Sequence, residues 1–257
     1  MIVIHVGVTR LRDYLVAGMD VGGLGGPRNG YRAHMNRLAV VDIDGTLVDT
    51  NYHHAVAWVR AFRDVKVVVP AAKAHRAIGM GGDRLVAAVA GEHVEAEHGD
   101  AVREAWAAHF NEMIDEIEPL DGAHEFLVAL REAGYTVVLA SSGKPEHIER
   151  YLDVVDARDL VHGWTTADDV SKTKPAPDLL TVAMDKAPDP DAETVTIGDS
   201  VWDCRAAKKI HVPTAGVLTG GFGAAELTDA GAAVVYENLP ELCAHLDGLP
   251  TATPVRE

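Results

Sequence analysis

Residues 38–43 read LAVVDI, a short apolar run with no polar alternation that closes on an acid and an isoleucine. A run of this kind marks a strand buried on both faces. Three more occur, at 135–140 (YTVVLA), 194–197 (TVTI) and 232–236 (AAVVY). Helical patterns separate them. After Ala123, the residues Phe126, Leu127 and Leu130 recur at helical spacing, and Gly134 comes next as a C-cap. Pro145 suits the first position of a helix over 146–152, Pro177 opens another over 178–186, and 201–210 makes a fourth. Strands alternating with helices predict an α/β fold, a Rossmann-like parallel sheet with helices on both faces. At 257 residues the chain holds one large domain of this type, or a core with a smaller insertion.

The residues just past each strand bear on chemistry. The first run leads into Asp42-Ile43-Asp44-Gly45-Thr46, the second into Ser141-Ser142-Gly143 and the third into Gly198-Asp199-Ser200. In open α/β sheets, ligands bind beyond the carboxyl ends of the strands. Two or three acids and a hydroxyl therefore converge on one edge. The acids repel one another there unless a cation lies between them, and an all-oxygen cluster suits Mg²⁺.

Between Asp49 and Leu120 the pattern is helical only. Ala55, Val56, Val59 and Phe62 mark one helix, 85–90 a second, and Val102, Trp106, Phe110, Met113, Ile114 and Ile117 a third. About 70 residues are too many for one crossover. The reading is an inserted helical cap at 50–119 in a core formed by 35–49 and 120–257, re-entered at Pro119-Leu120-Asp121-Gly122. Residues 1–34 read as an extension, with Met35 just before the first strand. Its stretch Gly22-Gly23-Leu24-Gly25-Gly26 lacks both a strand–helix frame and a subsequent Lys-Ser/Thr, so it reads as a linker and not a nucleotide loop. The opening apolar stretch is short, is interrupted by Arg10, Arg12 and Asp13, and has no basic segment before it. It does not read as a signal peptide.

Composition narrows the partners. Apolar residues make up 47% and charged residues 24%, which is ordinary for a globular chain. Acids outnumber Lys and Arg, 39 to 23, for a net charge of −16, and no basic stripe offsets it. That field opposes nucleic acid and anionic membranes. No apolar run approaches the ~20 residues of a membrane span. Two cysteines, Cys204 and Cys243, make no disulfide framework, so the expected compartment is the reducing cytoplasm. Nothing here bears on oligomeric state.

At this point the motifs resemble a known family. Asp42-Ile43-Asp44-Gly45-Thr46-Leu47-Val48-Asp49, Ser141 at a strand end, Lys174-Pro175-Ala176-Pro177-Asp178 and Gly198-Asp199-Ser200-Val201-Trp202-Asp203 are similar, in order and spacing, to the four motifs of the haloacid dehalogenase-like hydrolases. Four fixed residues in D-x-D-G-T, each at about 6% usage, match by chance about once in 10⁵ positions. A helical cap after the first motif resembles the subgroup of phosphoglycolate phosphatases and β-phosphoglucomutases.

The resemblance implies a Mg²⁺-dependent phosphatase for a small phosphorylated metabolite. Asp42 is then the nucleophile and Asp44 the general acid and base. Asp42, Asp199 and the backbone carbonyl of Asp44 hold the metal, with Asp203 behind them. Lys174, Ser141 and Ser142 bind the phosphoryl group, and Thr46 joins them or positions Asp44. Lys172 is the rival to Lys174, but only Lys174 directly precedes the proline. Cys204 reads as small helix packing, and Asp168 and Asp169 as an exposed loop.

In the cap, His54 falls where β-phosphoglucomutase-like members carry a histidine that aligns the acid, while His53 reads as hinge packing. Gly82 falls where mutases carry an arginine for a second phosphate, with Arg76 or Arg84 as substitutes. The loop 75–84, with Arg76, Gly79 and Gly82, is expected to choose the substrate. The alternatives are a phosphosugar isomerase and a non-catalytic phosphometabolite-binding protein. A dehalogenase leaves Asp44 without a role, and neither Lys66 nor Lys73 sits in a motif for phosphonate chemistry.

Overall fold

A computed structural model describes residues 36–170 and 173–254. The expectations for the extension 1–34 and for Lys172 lie outside the described residues. Six strands form one sheet: β1 (Arg37–Val41), β2 (Tyr135–Ala140), β3 (Gly163–Thr165), β4 (Glu193–Gly198), β5 (Thr214–Val217) and β6 (Ala232–Tyr236). Every neighbouring pair is parallel, in the order β3-β2-β1-β4-β5-β6.

Strand β1 alternates between two apolar layers, which is why its sequence is apolar at every position. Ala39 and Val41 join one layer with α5 (Ala123–Glu132), α6 (Pro145–Val155) and α10 (Leu239–Cys243). Leu38 and Val40 join the other with α7 (Asp178–Asp185) and α8 (Val201–Lys209). The short α9 (Ala224–Ala230) comes after β5.

The register fixes where the chemistry can sit. Val41 lies opposite Leu139 on one side and Ile197 on the other. Asp42, Ser141 and Asp199 therefore leave the sheet at one edge. From β1 the chain winds outward to β3, then returns past β1 to β4, β5 and β6. The order reverses at β1/β4, the place where an open α/β sheet leaves a crevice.

Between β1 and β2 the chain forms α1 (Asn51–Asp64), α2 (Ala71–His75), α3 (Gly82–Ala90) and α4 (Glu92–Asn111). These helices share an apolar cluster that includes Trp58, Phe62, Leu85, Val86 and Val102. The two ends of the insertion run side by side. Asp49 donates its N–H to the Glu118 carbonyl at 3.0 Å, and Leu120 donates to the Leu47 carbonyl at 2.9 Å.

Several sequence readings are corrected here. The helix read over Val102 to Ile117 is α4, and it stops at Asn111. Ile114–Glu116 form a 3₁₀ turn and Ile117 is extended. Met113 and Ile117 are apolar because the returning chain packs into the main core. Strand β6 is an edge strand, partly exposed and not buried on both faces. β3, β5, α2, α9 and α10 went unread because three to seven residues carry too little periodicity. Among the described residues, no helix is long and apolar enough to cross a membrane.

Candidate active site

Asp42, Asp199 and Asp203 converge at the crevice, each offering an oxygen within 4.8 Å of the others, and all three are buried. Lys174 enters from the loop before α7. Its Nζ lies 2.5 Å from Asp42 Oδ1 and 2.6 Å from Asp203 Oδ1. Three carboxylates face one ammonium, so two negative charges stay unbalanced. A pair of like charges at about 4 Å costs about 4 kcal/mol at an effective dielectric near 20. Burial raises the Asp42 carboxyl well above its usual range. Lys174 opposes that shift, and the charges of Asp203, Asp199 and Asp44 add to it. Burial also pushes Asp199 up to about 7, with the Asp203 charge adding to it. Burial lowers the Lys174 pKa, but its two carboxylate partners outweigh that and hold the ammonium charged.

This donor set fits a hard divalent cation. Asp203 has little left to offer one. Its Oδ2 accepts the Ser200 N–H at 3.1 Å and the Ser200 hydroxyl at 2.5 Å, the capping box that starts α8. Asp42 and Asp199 are the freer carboxylates. Asn51 donates from Nδ2 to Asp199 Oδ2 at 2.7 Å and to the Gly220 carbonyl at 3.2 Å, while its own Oδ1 is buried without a partner. Thr46 donates to Asp199 Oδ1 at 3.1 Å. Gly220 must lack a side chain here, because a Cβ would overlap Asp199 Oδ2 and lie 2.7 Å from Asn51 Nδ2. Gly220→Ala is therefore expected to abolish most of the rise in melting temperature that a divalent cation confers on the native enzyme. An undiminished cation-dependent shift would show that Asp199 holds no cation.

Asp44 lies two residues beyond Asp42, in a different environment. Thr50 donates to its Oδ1 at 2.9 Å, His54 Nε2 lies 3.1 Å from the same oxygen, and Ser141 donates to Oδ2 at 3.1 Å. Burial alone raises this carboxyl, but the three partners outweigh it and hold the pKa below the usual value. His54 is clamped against Phe110, with ring centroids 4.0 Å apart, and its Nδ1 is buried without a partner. Thr50→Val keeps the shape and deletes one donor. At about 1.5–3 kcal/mol for a hydrogen bond to a charged group, it is expected to lower kcat by about tenfold or more. Thr50→Ser should restore turnover, and equal kcat in all three forms would remove Thr50 from the account.

The cleft above these acids is lined by Asp42, Asp44 and Lys174, by His54, Trp58 and Trp106 from the insertion, by residues 78–82, and by Ser142 and Gly143. The structure thus brings together Asp42, Asp44, Ser141, Ser142, Lys174, Asp199, Asp203, His54, Gly79 and Gly82. Two readings change. Thr46 bonds Asp199 and not Asp44, and it does not line the cleft. The Asp44 side chain stands apart from the acidic cluster, which leaves its backbone carbonyl, as read from sequence, as the group open to a cation. Arg76 is directed away from the cleft. It pairs with Glu226 at 3.2 Å, lies over the Phe222 ring at 5.1 Å, and gives its carbonyl to the Trp202 indole at 3.2 Å.

Gly79, at φ +94°, has Ser200 Oγ 2.7 Å from where a Cβ would stand, so this turn is specific to glycine. Gly81 donates its N–H to Thr173 Oγ1 at 3.0 Å, tying the insertion to the loop that carries Lys174.

Thr50 and Asn51 escaped the sequence reading. A Thr-Asn pair before an apolar helix reads as an N-cap, yet Thr50 makes no side-chain cap bond and spends its hydroxyl on Asp44. His147 was also missed. Its Nε2 meets Asn111 Oδ1 at 2.7 Å, and burial lowers its pKa. Cys204 is buried in a helix, and burial pushes its thiol up to about 12, as packing without reactivity requires.

Comparison with known proteins agrees with this geometry. The probable phosphatase IndB of Dickeya dadantii is 29% identical over 215 residues, covering 81% of this chain and 92% of that one. Validoxylamine A 7'-phosphate phosphatase of Streptomyces hygroscopicus is 27% identical over 189 residues, covering 72% and 87%. The crystal structure of a hydrolase from Pseudomonas syringae superposes with a TM-score of 0.78 at 32% identity, over 83% of this chain and 99% of that one. A family model for haloacid dehalogenase-like hydrolases matches residues 37–211. With that match over most of its length, the chain belongs to the haloacid dehalogenase-like hydrolases.

Proposed function

We propose that this protein is a Mg²⁺-dependent phosphatase that hydrolyses a small phosphorylated metabolite through an aspartyl-phosphate on Asp42. The observation that carries the reading is the pairing in one cleft of two carboxylates with different partners. Asp42 lies on Lys174 inside the acidic cluster, and Asp44 lies outside it on Thr50, His54 and Ser141. That contrast supports Asp42 as the group that attacks phosphorus and Asp44 as the group that handles protons.

Asp42 attacks the phosphorus and displaces the alcohol, so one P–O bond forms as another breaks. Asp44 gives its proton to the leaving oxygen. The arriving phosphate dianion favours a proton on Asp44, against the three groups that otherwise keep it ionised. Asp44 then takes a proton from a water molecule, which attacks the phosphorus and releases inorganic phosphate and the free Asp42 carboxylate. Lys174 stabilises charge on the transferring oxygens, and Ser142 and Gly143 line the cleft beside it. Asp42, Asp199 and the backbone carbonyl of Asp44 would hold Mg²⁺, which when bound would supply the positive charge that lets a carboxylate approach a phosphate dianion. The helices of 50–119 act as the cap over the cleft, and its closure keeps bulk water from the intermediate.

The named phosphatases among the relatives support this reading, including one whose substrate is a phosphorylated validoxylamine. The His54–Asp44 contact also suits a phosphosugar isomerase. Incubation with phosphate esters and Mg²⁺ separates the two, with free inorganic phosphate expected in stoichiometric yield. Isomerised sugar phosphate without phosphate release would overturn the phosphatase reading, and binding without turnover would favour a non-catalytic protein.

A further inference from the structure

The wall of the cleft opposite the acids differs from its floor. Past Asp42, Asp44 and Lys174, the space for a leaving group is bounded by Trp58, Ile78, Met80, Trp106 and the glycine-rich backbone of 79–82. Apart from His54 on Asp44, none of these wall groups carries or can acquire a charge.

Four described cations near this wall each have an acidic partner outside the cleft. Arg103 reaches the Gly82 carbonyl at 3.1 Å, but its guanidinium forks onto Glu95 at 2.9 and 3.0 Å and also meets Asp100 at 2.9 Å. Arg84 pairs with Asp83 at 3.9 Å, Arg76 with Glu226 at 3.2 Å and Lys144 with Glu146 at 4.0 Å. Each of these four side chains stands outside the lining.

A carboxylate or second phosphate on the leaving group would have to give up water against indole and thioether surface, with no cation among the described wall residues to receive it. A cationic leaving group gains no carboxylate from this wall either.

We propose that the substrate is a phosphate monoester of an uncharged alcohol, and that anionic leaving groups such as glycolate, glycerate or a second phosphate are rejected at the wall formed by Trp58, Ile78, Met80 and Trp106. The proposal rests on the phosphatase reading above and adds the substrate class to it.

Two pairs of esters, each matched in size, test it: 2-hydroxyethyl phosphate against phosphoglycolate, and glycerol 3-phosphate against 3-phosphoglycerate. The neutral member of each pair is expected to have a kcat/KM at least about 100-fold higher, the scale of discrimination reached when a polar group is left unpaired in a site. Gly82 offers the complementary variant. A Cβ there would lie 3.5 Å from Trp58 and 3.6 Å from Arg103, which is ordinary contact. Gly82→Arg is expected to shrink the ratio at least tenfold by placing a cation on the wall, whereas Gly82→Gln, similar in reach but uncharged, should not.

Charged members matching or exceeding their neutral partners in the unsubstituted enzyme, while p-nitrophenyl phosphate is hydrolysed, would overturn the proposal and leave the phosphatase reading intact. Phosphocholine preferred over both neutral esters would do the same. No hydrolysis of any ester, p-nitrophenyl phosphate included, would overturn the phosphatase reading and the proposal with it.

Discussion

Asp42→Asn is expected to lower kcat by at least about 10⁴-fold, the scale seen when a covalent nucleophile is removed, while the fold persists. Asn is close in shape, and Asp42 sits at the end of a strand whose backbone already donates to Ile197 at 2.9 Å. The substitution removes one of three mutually repelling acids, so the melting temperature should hold or rise. An amide cannot displace the alcohol, and the covalent route closes. Steady-state kinetics with thermal melting of the same preparation checks both halves. A variant that keeps a tenth of the activity would show that Asp42 attacks nothing.

Removal of divalent cations comes next in size. EDTA and then desalting is expected to reduce turnover about 10³-fold, from several kcal/mol of lost charge stabilisation, and Mg²⁺ should restore it. A readout independent of activity accompanies it. Mg²⁺ should raise the melting temperature of the unsubstituted enzyme and leave that of Asp199→Asn almost unmoved, because Asp199, with one donor on each oxygen, is freer to take a cation than Asp203, whose carboxylate meets three. Full activity in metal-free buffer would contradict the account, and so would an equal Mg²⁺ shift in Asp199→Asn.

Much of this site was legible because its residues are fixed by the ends of buried strands. LAVVDI announces a central strand, and the next residues of such a strand must emerge at the crevice, so Asp42, Ser141 and Asp199 could be placed together from sequence. Lys174 comes from a loop and needed the family resemblance. Side-chain partnership across long separations stayed hidden. Thr46 lies 153 residues from the carboxylate it bonds, and Asn51 lies 148 residues from the same one. No local pattern carries such a pairing. Arg76 was misread for a related reason. Its position in the loop was right, but its side chain had Glu226 and the face of Phe222 to satisfy it on the other side. Short edge elements such as β3 and α9 are held by their neighbours and not by their own periodicity, so they too left no readable trace.

The central claim is that a phosphoryl group passes through Asp42. The most direct measurement is rapid acid quench of the enzyme with Mg²⁺ and a turned-over phosphate ester, then peptide mass spectrometry, in the unsubstituted form and in Asp44→Asn. Loss of the Asp44 carboxylate should slow hydrolysis of the intermediate, so with a good leaving group such as acetyl phosphate the variant should accumulate one phosphoryl group on the peptide containing Asp42. The label should be lost on treatment with hydroxylamine, as an acyl phosphate is. Phosphate release at the normal rate with Asp42 never modified, or label found on another residue, would contradict the account.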